Sequence, residues 1–247
     1  MSIARPCISG TSSLAATSAD VATPSGVPAA AAPAVAPAAV PPAAAVSRAY
    51  MIAKRLIDII GALGALAFLA LPMALVAALI KLESRGPVFF AQPRIGEGGV
   101  PFQFIKFRSM VVDAERIRAD LQSENEVTGP VFKIRRDPRI TRVGRLIRRT
   151  SLDETPQLFH VLTGKMSLVG PRPPLPEEVA NYEPWQLERL AVRPGLTCIW
   201  QISGRSDIPF ERWVELDIEY VRRRNLWLDL KILFLTVPAV LSGRGAY

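Results

Sequence analysis

The sequence predicts a mostly helical α/β protein held at a membrane, and three stretches carry that expectation. An uncharged run, "IIGALGALAFLALPMALVAALI", covers Ile59–Ile80. It is long enough to cross a bilayer as a helix, which takes about 20 apolar residues. The following "GPVFFAQPRIGEGGVPFQFIKFRSM" reads as a short β-hairpin, with strands over Val88–Gln92 and Phe102–Phe107 and a glycine-rich turn at Gly96–Gly99. Further on, "RITRVGRLIRR" interleaves arginines with apolar residues at helical spacing, the pattern of an amphipathic helix lying on a charged surface.

The parts before the apolar run have a different character. Residues 1–47 are dominated by Ala, Pro, Ser, Thr and Val, with almost no aromatic or long aliphatic side chains. Such a segment cannot bury enough surface to offset its ordering entropy, so a disordered, partly polyproline-II tail is expected. It does not read as a signal peptide, because no basic patch leads at once into an apolar core and prolines interrupt it throughout. The expected division is a tail over 1–47, a membrane helix over 48–85 and a cytoplasmic domain over 86–247.

A formal net charge of +8 and a pI near 10.0 point to polyanionic partners: nucleic acid, anionic headgroups or phosphorylated substrates. The apolar run and the absence of a recognisable nucleic-acid motif set nucleic acid aside. With only Cys7, Cys198 and His160 available, a disulfide framework or a Cys/His zinc site is excluded.

Two features complicate a simple crossing by Ile59–Ile80. Pro72 sits near the middle, where it removes a backbone hydrogen bond and favours a kink. Basic residues flank both ends, Arg48, Lys54 and Arg55 before and Lys81, Arg85 and Arg94 after, and the positive-inside rule draws both flanks to the cytoplasm. A re-entrant helix-break-helix turning at Pro72 satisfies both pulls. A kinked single span is the alternative, and charge and proline alone leave the two open.

From Val112 to about Gly129 the polar sequence suggests a helix and a loop. In "RITRVGRLIRR", Arg139, Arg142, Arg145 and Arg148 stand three apart and make a basic stripe, while Ile140, Val143, Leu146 and Ile147 make an apolar face. A membrane surface suits that helix; a solvated basic face is the plainer alternative.

The arginines run into "RRTSLDETP", where Asp153 and Glu154 are adjacent. Ser151 and Glu154 fit the S-x-x-E capping box, so a helix is expected from Leu152 with Pro156 in its first turn. Capping accounts for Glu154. Asp153 has no such role, and it lies near the positive end of the new helix, where a phosphate is also attracted. Next, "KMSLVGPRPPLPEEV" reads as a short strand entering a turn that holds Arg172 between two prolines, a stiff mount for a phosphate-binding cation or simply a rigid surface turn. "VRPGLTCIWQISGRSD" adds Arg193 and Arg205 on glycine-containing turns beside an expected strand over Thr197–Ile202. Carboxylates and constrained arginines beside a membrane segment suggest phosphoryl transfer, in which a carboxylate can be a covalent nucleophile. The C-terminal "LWLDLKILFLTVPAVL" reads as an interfacial helix anchored by Trp227, with a buried core helix as the alternative.

Taken in order, "KRLIDIIGA", "GPVFFAQPRIG", "FIKFRSM", "DPRITRVGRLIRRTSLDETPQLF", "MSLVGPRP", "VRPGLTCIWQISGR" and "WLDLKILFLTVPAVL" resemble the bacterial sugar transferases, the monotopic polyprenyl-phosphate phosphoglycosyl transferases, over about residues 50–247. The C-terminal half looks most like enzymes that start exopolysaccharide repeat units with galactose or glucose phosphate. The resemblance implies transfer of a sugar 1-phosphate from a UDP-hexose to undecaprenyl phosphate with release of UMP, at the cytoplasmic face of a bacterial inner membrane. It implies Asp153 as the nucleophile, Glu154 as the residue holding a magnesium ion, and Arg148, Arg172 and Arg205 on the phosphates. It also implies a re-entrant membrane helix broken at Pro72, and a homodimer and polysaccharide-assembly enzymes as partners. The chain departs from the family pattern at Leu71, where a serine often precedes the proline, at His160, where asparagine is common, and at Cys198, where glycine is common. A non-catalytic membrane scaffold of a polysaccharide assembly complex, keeping only the fold, is the competing expectation.

Overall fold

The computed structural model describes residues 40–126, 132, 134, 136–204 and 208–242. Its elements in chain order are α1 (Arg48–Glu83), β1 (Phe89–Ile95), β2 (Pro101–Phe107), α2 (Ala114–Asp120), α3 (Arg142–Arg149), α4 (Leu158–Leu162), β3 (Ser167–Val169), α5 (Pro176–Val179), β4 (Gly195–Thr197), α6 (Ile199–Ile202), α7 (Phe210–Arg223) and α8 (Leu226–Ser242). Turns of 3-10 helix at Leu152–Gln157 and Pro184–Leu190 lead into α4 and towards β4.

α1 starts where the Ser47 hydroxyl accepts the Tyr50 amide proton at 3.1 Å, and it stops at Ser84, whose backbone is extended. Pro72, the expected break, stands inside an uninterrupted helix; a proline there removes one hydrogen bond without having to end the helix. One face of α1 is packed along its whole length. Asp58, Ala62, Val76 and Ile80 are buried, and Ala65, Leu66, Leu69, Met73 and Ala77 join them, spaced by three and four residues. The opposite face leaves Ile52, Leu56, Ile60, Leu63, Phe68, Leu71 and Leu75 exposed. Among the described residues α1 is the one helix long and apolar enough to cross a membrane.

Polar side chains tie both ends of α1 to the same body. Near its start, Asp58 accepts hydrogen bonds from the Ser167 hydroxyl and the Leu168 amide, both at 2.9 Å. Arg55 donates to the carbonyls of Val161 and Leu162 at the end of α4, at 2.6 and 2.8 Å, where unpaired helix carbonyls need donors. Lys54 reaches the Val169 carbonyl at 3.0 Å and Asp229 of α8 at 3.2 Å. At the far end, Glu83 accepts the Val143 amide of α3's first turn at 3.1 Å, and Arg108 donates to the Ser84 and Arg85 carbonyls at 3.0 and 2.8 Å.

β1 and β2 form the expected hairpin, antiparallel from Phe89↔Phe107 to Ile95↔Pro101. β1 runs past the expected end at Gln92, and Pro93 is tolerated because a two-stranded sheet has only edge strands. β3 and β4 form a second, parallel pair through Ser167↔Gly195 and Val169↔Thr197. The strand expected over Thr197–Ile202 is corrected: it ends at Thr197, and α6 follows. Trp200 of α6 stacks on Trp213 of α7 with ring centroids 4.8 Å apart, a tertiary contact that overrides local strand preference. The polar stretch after Val112 contains α2, the expected helix, while residues 127–129 of the expected loop lie outside the described residues.

The basic amphipathic helix is shorter than the spacing suggested. It begins at Arg142, capped by the Thr141 hydroxyl on the Gly144 amide at 2.9 Å. Arg139 falls outside it, buried in a bidentate pair with Asp137 at 2.7 and 2.9 Å. Ile147 is fully buried whereas Leu146 is 55% exposed, so the apolar face is narrower than expected and Ile140 bridges to Met110 instead. α8 leaves Trp227, Phe234, Val237 and Leu241 exposed and buries Asp229 and Ile232. Of the segment expected as tail, residues 1–39 lie outside the described residues. Val40 packs on Ile95, Val179 and Leu190, and Arg224 donates to the Ala44 carbonyl at 2.6 Å.

Gly144 is where α3 meets the backbone after β2: a β-carbon there would lie 1.9 Å from the Ser109 carbonyl oxygen. Gly144→Ala therefore has to push α3 away from Ser109, and overpacking of this kind costs about 1–3 kcal/mol. Thermal unfolding of the detergent-solubilised protein is expected to show a clear fall in Tm, and an unchanged Tm would mean that α3 does not seat at Ser109.

Candidate active site

The 3-10 turn Leu152–Gln157 hangs from the end of α3 through Ser151, the one non-glycine residue among those described with positive φ (57°). Left-handed backbone is disfavoured for such a residue, and held strain of this kind clusters at functional sites. It also corrects the capping expectation. A cap requires extended backbone; Ser151 is left-handed and its side chain makes no capping bond. The Glu154 carboxylate is thereby freed from helix capping and accepts a hydrogen bond from Arg172 Nη1 at 3.2 Å.

Asp153, next in the turn, is buried. Burial, and then the negative charge of Glu154, push its pKa up to about 6, while Lys106, Arg148 and Arg172 pull in the opposite direction. These cations arrive from three elements: Lys106 from β2, Arg148 from the last turn of α3, and Arg172 from the turn after β3. Lys106 is itself pushed down to about 8 by burial, with Arg148, Arg94 and Arg172 adding to the effect and Asp153 opposing it. The pair thus sits where small changes in local charge alter proton occupancy near neutral pH.

The Gly-Pro-Arg-Pro turn is held by more than its prolines. Arg94 of β1, buried, donates to the Pro173 carbonyl at 3.0 Å, and the Ile95 amide donates to the Pro174 carbonyl at 3.0 Å. Burial and the nearby Arg172 bring the Arg94 pKa down to about 10. Its guanidinium lies over the Phe104 ring, 5.3 Å from the centroid.

Of the residues expected at the site, Asp153, Glu154, Arg148 and Arg172 come together. Arg205 lies outside the described residues. Arg193 is engaged elsewhere, in an ion pair with Glu97 on the hairpin turn at 3.3 Å. His160 is a structural post: its Nε2 accepts the Ile105 amide proton at 3.2 Å, fixing β2 beside Lys106, and burial and then Lys165 lower its pKa. Lys106 and Arg94 were missed as site residues. The sequence does mark Lys106, a single cation in the otherwise apolar end of "FQFIKF", whereas Arg94 reads there only as a charge flanking the apolar run.

This arrangement sets a buried carboxylate and an adjacent one among cations from separate elements, in a chain that also carries a long apolar helix. The family model for bacterial sugar transferases matches residues 49–243. The chain belongs to the bacterial sugar transferase family, a family of transferases. It is 46% identical over 198 residues to the galactosyl transferase CpsE of Streptococcus agalactiae, covering 80% of this chain and 44% of CpsE. It is 41% identical over 202 residues to the exopolysaccharide production protein ExoY of Rhizobium meliloti, covering 79% of this chain and 88% of ExoY. It is 44% identical over 166 residues to the undecaprenyl-phosphate galactose phosphotransferase of Salmonella typhimurium, covering 66% of this chain and 35% of that protein. The chain therefore spans less than half the length of two of these relatives and most of the third.

The raised pKa of Asp153 has a sign that stability can read. A carboxyl at about 6 when folded and 3.8 when unfolded binds more protons in the folded state between those values, so stability falls as pH rises through that window. Asn mimics the neutral acid. Asp153→Asn in EDTA-containing buffer is expected to be more stable than wild type at pH 7, by up to about 3 kcal/mol at 1.36 kcal/mol per unit. The advantage should vanish below pH 3.8. Equal denaturation midpoints at pH 7 would show that the carboxylate is not disfavoured by its site.

Proposed function

We propose that the protein transfers a sugar 1-phosphate from a UDP-hexose, galactose or glucose, to undecaprenyl phosphate and releases UMP, as the first step of exopolysaccharide repeat-unit assembly at the cytoplasmic face of a bacterial inner membrane. The observation that carries this reading is Asp153, a buried acid beside Glu154 and among Lys106, Arg148 and Arg172. A scaffold that only kept the fold would have no use for a charge arrangement that weakens folding.

In the proposed reaction Asp153, ionised above its pKa, attacks the sugar-proximal phosphorus. The bond from that phosphorus to the bridging oxygen breaks, and UMP departs with the electron pair. An oxygen of undecaprenyl phosphate then attacks the same phosphorus and expels the Asp153 carboxylate, giving undecaprenyl-diphosphate sugar. Arg148 and Arg172 balance the phosphate charge, Arg172 from a backbone held on both sides, and Lys106 holds a positive charge beside the nucleophile.

Glu154 is the residue proposed to hold magnesium. Among the described residues no group of three or more His, Cys, Asp or Glu could hold a metal alone. One available carboxylate beside bound diphosphate is nevertheless the donor set magnesium commonly takes, with water completing the shell. When bound there, magnesium supplies charge neutralisation to the diphosphate.

We infer that α1 enters the membrane and returns without crossing, with Pro72 supplying a kink inside a helix that stays continuous. Its 36 residues would span about 54 Å if straight, yet Lys54, Arg55 and Asp58 at one end and Glu83 at the other bond to the same body. A crossing would draw part of that body and its hydrogen-bonded charges through hydrocarbon, at several kcal/mol for each group left unpaired.

Asp153→Asn is expected to abolish UMP release from UDP-hexose in the presence of undecaprenyl phosphate while leaving membrane attachment intact. Wild type is expected to exchange labelled UMP into UDP-hexose without any lipid acceptor. Turnover by the Asn variant removes Asp153 from the mechanism. For topology, single cysteines at Ser47 and Ser242, in a background lacking Cys7 and Cys198, should react only with cytoplasmic reagent; periplasmic labelling at residue 47 would establish a crossing.

A further inference from the structure

A buried cation outside the proposed reaction bonds to the Gly-Pro-Arg-Pro turn. Arg189, at the end of the 3-10 turn Pro184–Leu190, is 5% exposed and pairs with Asp217 of α7, which is completely buried. It donates to the Tyr182 hydroxyl at 2.7 Å and to the main-chain carbonyl of Arg172 at 3.2 Å. An ion pair buried this deeply is costly to desolvate and is weak as a device for stability alone. Its geometric consequence is specific. The Arg172 carbonyl is held by Arg189 and the Pro173 carbonyl by Arg94, so successive peptide groups are clamped from two sides. The Arg172 side chain leaves this fixed backbone and meets Glu154 at 3.2 Å.

We propose that Arg189 is a positioning residue that fixes the main chain of Arg172 so that its guanidinium stands beside Glu154, where it meets the substrate diphosphate. This rests on the reading of the site given above. Lysine at 189 would keep a charge opposite Asp217, but one ammonium cannot reproduce the planar fork that serves Asp217, Tyr182 and the Arg172 carbonyl together.

The test is a double-mutant cycle in the full chain: Arg189→Lys, Arg172→Ala and the two combined. Because Arg189 bonds to the main chain of residue 172, Arg172→Ala leaves that bond in place. A purely structural effect of Arg189 then persists in both backgrounds, whereas an effect carried by the Arg172 guanidinium disappears with it. With Arg172 present, Arg189→Lys is expected to lower kcat by about tenfold or more, with less than about threefold change in KM for UDP-hexose, as for a displaced catalytic cation. With Ala at 172 the same change should cost less than about twofold in kcat, while the fall in Tm is the same in both backgrounds. Equal kcat losses in the two backgrounds, or no loss in either, overturns the proposal. Should Arg189→Lys fail to fold, Tyr182→Phe removes one of its partners and is expected to show the same pattern at smaller size. If wild type does not release UMP at all, the proposed reaction fails, and the cycle is read by calorimetry with inorganic diphosphate. Weakened binding by Arg189→Lys only when Arg172 is present then supports the positioning role. Additive losses, or no diphosphate binding by wild type, defeat it.

Discussion

Everything at the site depends on the packing of α1. This helix is apolar around most of its circumference, which would ordinarily release it into lipid, yet Asp58, Arg55, Lys54 and Glu83 pin it to the body at both ends. Its packed face touches β3, α4, α3 and α8 and the turn that carries Asp153. The same residues that hold the helix therefore also fix where the turn carrying Asp153 stands relative to its apolar face. α8 likewise exposes Trp227, Phe234 and Leu241, so one body carries both exposed apolar helix faces and the charged site.

The site itself is a compromise in electrostatics. Asp153 loses hydration and faces Glu154, both of which oppose its ionisation, and three cations only partly restore it. Proteins tolerate such an arrangement where function requires it and make up the stability elsewhere. Here the surrounding supports are hydrogen bonds to backbone: His160 on Ile105, Arg94 on Pro173, Arg189 on Arg172. Each holds a peptide group adjoining or near a site residue, so the charged side chains are aimed by their main chains. Lys106 follows Ile105, and Arg172 precedes Pro173.

Much of this was legible in the residues. The apolar run, the hairpin, the acid pair and the proline-flanked Arg172 follow from local chemistry, because uncharged length, alternation, glycine turns and rigid proline all act within a few residues. The errors also have local causes. Ser151 and Glu154 have the spacing of a capping box, but spacing does not report backbone handedness, and the left-handed Ser151 sends Glu154 to Arg172. Arg139 shares the stripe's period and yet pairs with Asp137, two residues away, before the helix begins.

The amino-acid sequence by itself determined that the chain carries a long apolar helix, a β-hairpin and a basic helix, with two adjacent carboxylates and several constrained arginines. Only the tertiary structure decided that Lys106 belongs beside Asp153, that Arg94 and Arg189 clamp the turn of Arg172, and that both ends of α1 hold the same body. The reason is physical: periodicity and turn chemistry express interactions between near neighbours in the chain. The burial of a charge, and the choice of its partner, depend on groups brought together from distant segments, as with Arg189 and Asp217 across 28 residues.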